Sequence, residues 1–474
     1  MPFLSSSLSR IPGGFAVEDG EGSWTYEELA MEAERVARRL AALDVGSGDV
    51  VALAGRLDRQ LLAALHGIWK AGASAAPFSE RWTATETARA LEVLAPGLLL
   101  VGDGVEGEDT PPTILSGPDS FRLGPRPDPF RPSFSGVEPA SRPLPSMAGE
   151  DVAVRLLTSG TSGRPRAVPL TINTFLVSAQ GARERLDLSQ ADRWLGSLSL
   201  AHVGGMALVT RAALVGSGLV LKGPFSLGSF LALVEAGSIS HASLVPTMLH
   251  QVLEKWEGRS VPDSLRCLLI GGAPARKSLV EGALAAGFPI ALTYGLTEAS
   301  SQVATAPPDL VREKPGTVGL PLPGVRVKLG EGDELLVQGA TVCPGQASAM
   351  GWLHTGDLAR KDSQGHLWIT GRLSDRIISG GVNVDPVSVE NALQSHPDVV
   401  DAVVVGVPDA EWGERVVAVV VSAAPKEGLT RELADLTGAT LSKANRPRSI
   451  RFVESVPRNA NGKVDRDAIR ALFR

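Results

Sequence analysis

An α/β layered protein is expected from three features of this sequence. Helical and strand-like patterns alternate from residue 24 to 101 and again from 152 to about 306, the rhythm of helices laid on sheets. Between 316 and 369 the segments shorten under Gly/Pro punctuation, with β-type runs such as ELLVQG and HLWIT, which predicts a smaller β subdomain. Beyond it lies a self-contained pattern. A helix at 386–395 is followed by valine-rich strands at 399–407 and 415–422, a helix near 429–441 and a closing basic loop.

The elements follow in order. The segment TYEELAMEAERVARRLAALDV carries apolar residues at helical spacing, with Thr25 placed as N-cap and Glu28 three residues later. DVVALAG reads as a buried strand, and RQLLAALHGIWKAGA as a second helix ending on Gly72. Residues 102–149 are dominated by Pro, Gly, Ser and Asp, so an irregular excursion is expected there. The pattern then resumes at Val152, with strands near 239–245 and 264–270.

Composition narrows the function. With 474 residues, 43% hydrophobic and 21% charged, the chain is long enough to bury a large core without disulfide or metal staples. A net charge of −6 from 46 basic and 52 acidic residues argues against a nucleic-acid partner. Two distant cysteines, Cys267 and Cys343, match no zinc or redox spacing and fit a reducing, cytoplasmic setting. Neither a signal peptide nor a transmembrane helix is expected. For assembly, a homodimer is the default.

Four segments carry chemistry. In LLTSGTSGRPRAVP, 156–169, a strand runs into a dense Thr/Ser/Gly stretch. Gly160 and Gly163 let backbone N–H groups converge on an anion, while Thr158, Ser159, Thr161 and Ser162 add donors and Arg164 and Arg166 add charge. A polyphosphate suits that set, although the same composition also makes a flexible loop. In TYGLTEASSQ, 293–302, Tyr294 is one of only two tyrosines and sits beside Gly295, where it can stack a flat base. Glu298 after Thr297 offers a carboxylate to Mg²⁺; Thr-Glu also reads as a helix start. Gly271, Gly272 and Ala273 follow a strand, where ligands commonly bind in such folds and where plain turns also occur.

The third segment, 351–384, places Asp357 and Arg372 each beside a glycine, suited to ribose or phosphate, or to a structural ion pair. The fourth, PRNANGKVDR at 457–466, holds Lys463, in a chain where only ten of 46 basic residues are lysines. A lysine on a mobile stem stabilises charge developing on a phosphate, or it is simply solvated. In SLSLAHVGG, 197–205, His202 follows an apolar run and precedes two glycines, facing a pocket or the core.

Together these segments resemble the adenylate-forming superfamily of acyl-CoA synthetases, adenylation domains and luciferases. LLTSGTSGRPR resembles its phosphate loop, YGLTE its adenine and magnesium motif, and the TGD ending at Asp357 its ribose aspartate. GRLSD resembles its hinge and NGK its catalytic-lysine loop, with TYEEL and GIWKAGA extending the likeness to the start of the chain. The chain departs at Ser374, where Asp or Lys is commoner, at Arg166 for lysine, and at Ala167 for glycine.

The resemblance implies a large N-terminal AMP-binding domain over 1–373 and a small mobile α+β domain over 374–474. It implies ATP, Mg²⁺ and coenzyme A as reactants and cofactor, with Lys463, Thr297, Glu298 and His202 catalytic and Glu298 on the metal. ATP is expected on residues 158–163, Arg166, Gly271, Gly272, Ala273, Tyr294, Gly295, Asp357 and Arg372. The acid is expected on His202, Val203, Gly204, Gly205, Ser301 and Gln302. Ser374 belongs to the hinge, and Gly380 and Gly381 to the thiol channel. Compact length, TYGLTEASSQVAT, KPGTVGLPLPGV and SLSLAHVGG are similar to o-succinylbenzoate–CoA ligases of menaquinone biosynthesis. Another aryl- or fatty-acyl-CoA ligase, or an enzyme loading a carrier protein, shares much of that outline.

Overall fold

The computed structural model describes residues 3–79, 82–101, 139–158, 165–256, 258–422, 428–458 and 464–473. After a short helix at Ser5–Arg10, the helix Tyr26–Ala42 opens on the predicted capping box, with the Thr25 hydroxyl accepting from the Glu28 N–H and the Glu28 carboxylate accepting from the Thr25 N–H. It packs against Arg59–Lys70, after which Gly72 takes a left-handed turn at φ 87°. The strand between them, Val50–Ala54, lies in a five-stranded sheet with Ser74–Pro77, Leu98–Val101, Val152–Thr158 and Arg166–Thr171. Residues 102–138 of the predicted excursion lie outside the described residues. The rest of it leans on the helix Tyr26–Ala42, through Arg38 donating to the Ala140 carbonyl and Arg142 to that of Ala41.

A nine-stranded sheet forms the centre of the large part. Its parallel run includes Gly218–Val220, Arg193–Leu195, His241–Leu244, Cys267–Ile270 and Ile290–Leu296. These strands are buried on both faces. Leu268, Ile270, Ile290 and Leu292 join one core, while Cys267, Leu269 and Ala291 join the other, so the segments read as continuous apolar runs rather than alternating ones. Ser301–Ala306 then returns antiparallel to Ile290–Leu296, with a register shift at Tyr294/Gly295.

The expected β subdomain is a four-stranded antiparallel sheet of Val325–Leu329, Glu334–Gly339, Leu353–Lys361 and Leu367–Arg372. One 3-10 turn, Leu373–Asp375, leads from it into a last sheet built around the long hairpin Val399–Asp409 and Gly413–Ser422. The predicted helices appear as Pro386–Gln394 and Leu429–Thr440. The closing segment is not simply a loop. It contributes an edge strand, Ser449–Phe452, parallel to Gly413–Ser422, and a helix, Arg466–Ala471, capped by Asp465. Its arginines hid the strand, because an edge strand needs only one apolar face.

Two histidines are held neutral inside the large part. Burial keeps His66, edge-on to Trp69, down to about 3, and burial also lowers His241 against the pull of Asp192. Once unfolded, both titrate near 6.5. The stability they carry is therefore complete above about pH 6.5 and lost as the pH falls toward 3, because the unfolded chain takes up protons that the fold refuses. Each contributes a slope of about 1.4 kcal/mol per pH unit in that window. Urea midpoints measured from pH 7 to 4.5 should fall, and His66→Leu should flatten the fall; a midpoint indifferent to pH would contradict it.

Candidate active site

Among the described residues, parts of the second and third predicted segments and the Gly271 turn meet at the carboxyl ends of the parallel strands, where ligands commonly bind in such sheets. Gly271 follows Cys267–Ile270 and lies against Thr293, whose methyl would stand 2.6 Å from an added Cβ. Tyr294 lies near the end of the next strand and donates its hydroxyl to Asp357, 63 residues away, at 2.7 Å. The other oxygen of Asp357 accepts from Arg372 Nε at 2.6 Å, and these two residues face each other across adjacent strands. Burial first, and then the Asp357 charge and hydrogen bond, push the Tyr294 phenol well above its usual range, so it remains a donor. Asp357 is thus in an ion pair, and its remaining lone pairs still suit a diol.

The turn after Tyr294 is tightly held. An added Cβ on Gly295 would lie 1.8 Å from the Ser301 carbonyl oxygen, so no other residue fits there. Thr297–Ala299 is a single 3-10 turn rather than the start of an α-helix, and Ser300 and Ser301 both take left-handed backbone at φ 52° and 87°. Such strain costs about 1–3 kcal/mol per residue and persists where surroundings fix it. Here Ser178 donates to the Ser300 carbonyl at 2.7 Å, and the Cys343 N–H to that of Glu298 at 2.8 Å. The Glu298 carboxylate is half-buried and has no ion-pair partner among the described residues. A hard cation fits such an acid.

Of the residues expected to take the acid, His202 is exposed at the N-cap position of the helix Val203–Val215, which removes the core-histidine alternative. Gly205 is required by packing, since a Cβ would sit 2.3 Å from the Ser199 carbonyl; Gly204 has only Leu198 nearby and Val203 is half-buried.

Gln302 differs from the expectation that its amide meets the substrate. The bulge beside Gly295 inserts one extra residue and turns Gln302 onto the same side as Thr305. There its Nε2 donates to Thr305 at 2.8 Å while its oxygen accepts from Arg211 Nη1 at 2.8 Å.

Arg211 was missed by the motif reading. It is 3% exposed, lies over the Trp194 ring at 4.4 Å, and has no ion-pair partner among the described residues. Its Nε and the Trp194 Nε1 are both buried without a hydrogen-bond partner there. Burial lowers it to about 10, so it is still charged at neutral pH. The signal was present in the sequence as the single charge in the otherwise apolar helix VGGMALVTRAALV.

Ser159, Gly160, Thr161, Ser162, Gly163, Arg164 and Lys463 lie outside the described residues. The stems of the first loop do not: Thr158 pairs with Arg166 across an antiparallel hairpin, with Arg166 exposed. Gly272 takes a left-handed turn at φ 78°, with Ala273 after it. Gly380 and Gly381, at φ 60° and 78°, form the two-residue turn of a hairpin, a conformation that favours glycine at both places. Ser374 sits within the 3-10 turn, 3.3 Å from Asp375.

This architecture, with a nucleotide-suited cleft on the central sheet and a small appended sheet, defines an adenylate-forming enzyme. Residues 5–350 match the AMP-binding enzyme family and residues 388–463 its C-terminal domain, so the chain belongs to that family and is an AMP-forming acid–CoA ligase. Among relatives, it is 32% identical to the 2-succinylbenzoate–CoA ligase of Bacillus licheniformis over 487 residues, 98% of each chain. It superposes on the o-succinylbenzoate CoA synthetase of Bacillus subtilis in complex with the acyl-adenylate intermediate at a TM-score of 0.87, with 29% identity over 99% of this chain and 97% of that one. A double mutant of the same enzyme, bound to a product analogue, superposes at 0.72, with 29% identity over 99% and 98%. No helix among the described residues is long and apolar enough to cross a membrane.

Proposed function

We propose that this ligase joins 2-succinylbenzoate to coenzyme A, the thioester step of menaquinone biosynthesis, acting in the cytoplasm. The observation that carries the reading is Arg211, a buried guanidinium that donates to Gln302, a residue expected on the acid, and has no ion-pair partner among the described residues. A monocarboxylate would leave it unpaired; an acid with a second carboxylate answers it, and charge-assisted bonds of that kind are the strong ones. Full-length similarity to 2-succinylbenzoate–CoA ligases supports the same substrate.

The substrate carboxylate attacks the α-phosphorus of ATP; a C–O–P linkage forms as the bond to pyrophosphate breaks, which leaves the acyl group activated as its adenylate. Tyr294, Asp357 and Arg372 hold the nucleoside, and the 158–163 loop with Arg166 takes the phosphates. Mg²⁺, held by Glu298, would supply neutralising charge there. Lys463 bridges the carboxylate and the α-phosphate as negative charge gathers. In the second half-reaction the small domain, from Ser374 onward, swings about the hinge and brings Gly380 and Gly381 to the thiol path. The thiol attacks the acyl carbon, a C–S bond forms, AMP leaves and the thiol proton passes to solvent.

The test is to incubate the protein with ATP, Mg²⁺, coenzyme A and a panel of aryl, fatty and succinyl-aryl acids, following AMP and thioester by mass. Thioester with 2-succinylbenzoate alone is the expected result. Thioester with monocarboxylates but none with 2-succinylbenzoate would overturn the substrate, and acyl-AMP without thioester would overturn coenzyme A as acceptor.

A further inference from the structure

The small domain meets the large one at more than one place: Arg376 donates to the Gly332 carbonyl at 3.0 Å near the hinge, and a second contact, far from the hinge in sequence, centres on an acid. Arg276 stands at the N-cap position of the helix Lys277–Ala285 without capping it, three residues beyond the Gly271–Ala273 turn. Its guanidinium reaches across to the small domain, where it forms an ion pair with Asp401 and donates to the Val400 carbonyl. The side chains are 31% and 17% exposed, so the contact is sheltered from solvent without being buried. A single guanidinium reading a carboxylate and the adjoining carbonyl is a directional contact that a lysine reproduces only in part.

Asp401 has a second cation. Its other oxygen faces Arg458 at 3.5 Å. Arg458 forms a β-bridge with Val464, and the Asp465 N–H donates to the Pro457 carbonyl at 2.9 Å. These are the two stems of the segment that carries Lys463. The far stem is tied in turn to the hinge, because Arg466 donates to Asp375 at 2.8 Å. A line of charges therefore runs from the nucleotide turn through Arg276, Asp401 and Arg458 to the base of the lysine segment.

We propose that Arg276 and Asp401 are positioning residues for adenylate formation, a latch that seats the small domain beside the nucleotide turn, holds the stems of the lysine segment, and opens before the thiol step. The inference rests on the two-step ligase reading with a swinging small domain. A latch that favours one arrangement must slow the step needing it when removed, and cannot slow the step that follows its release.

The experiment separates the half-reactions in the full-length protein. Acid-dependent ATP–pyrophosphate exchange reports the first, and coenzyme A-dependent release of AMP from supplied acyl-adenylate reports the second. Arg276→Met and Asp401→Asn are expected to lower exchange about five- to tenfold, the range in which one partly sheltered charged contact biases a two-state equilibrium. Thiolysis should be unchanged or faster, and Arg276→Lys should recover part of the exchange. An equal fall in both half-reactions, with no recovery by lysine, would mean a merely structural contact and overturn the latch. Exchange at the wild-type rate in both variants would do the same. Absence of either half-reaction from the wild-type protein with every acid would instead overturn the ligase reading beneath it.

Discussion

Arg211→Met is expected to raise KM for 2-succinylbenzoate about 10- to 150-fold, the equivalent of losing one charge-assisted hydrogen bond worth about 1.5–3 kcal/mol. KM for ATP and for monocarboxylates should stay within about twofold, because among the described residues the path from Arg211 toward the nucleotide side runs through Gln302 to Thr293 and Thr305. Stability should move the other way. The guanidinium is buried against Trp194 with its Nε unsatisfied among the described residues, and an uncompensated buried charge is a destabilising element in the substrate-free protein. Methionine fills similar volume without that charge, so Tm should be equal or higher. Steady-state kinetics across the acid panel and a thermal melt make the test. An unchanged KM for the dicarboxylate would remove Arg211 from substrate recognition, and a collapse of Tm would make it a structural cation.

Lys463→Ala is expected to slow acid-dependent ATP–pyrophosphate exchange by about 10²–10³, the usual loss when one preorganised charge is withdrawn from a developing anion. Conversion of supplied acyl-adenylate to thioester should persist within a few-fold, because the lysine has no part in the thiol attack. The split matters more than the size. A residue needed only for folding would depress both half-reactions together, and a merely solvated lysine would change neither. On either side of its segment the described chain is anchored: Arg458 and Val464 are bridged, and each stem is tied by an arginine to a carboxylate, Asp401 or Asp375.

Much of this molecule was legible one segment at a time. The capping box at Thr25 and Glu28, the alternation that built the central sheet, and the paired glycines at 380–381 are local matters, decided by backbone geometry and hydrogen bonds over a few residues. The five segments that resemble the family's phosphate, adenine, ribose, hinge and lysine motifs stood out for the same reason. A loop that cradles an anion needs its glycines and hydroxyls close together in the chain.

What neighbouring residues could not reveal is pairing at a distance. Whether Asp357 was one half of an ion pair depended on strands that bring it to Arg372, and to Tyr294 63 residues away. Gln302 seemed free to meet a substrate until one bulged residue turned its amide inward to Arg211. Arg211 itself was only an arginine in an apolar helix. Its meaning came from the absence of an acid partner among the described residues of the core around it, and whether a charge is compensated is a property of the packed interior, not of its sequence neighbours. The fold class and the reaction type were thus written in local patterns, while partner choice, burial and the seating of the small domain required the chain to close on itself.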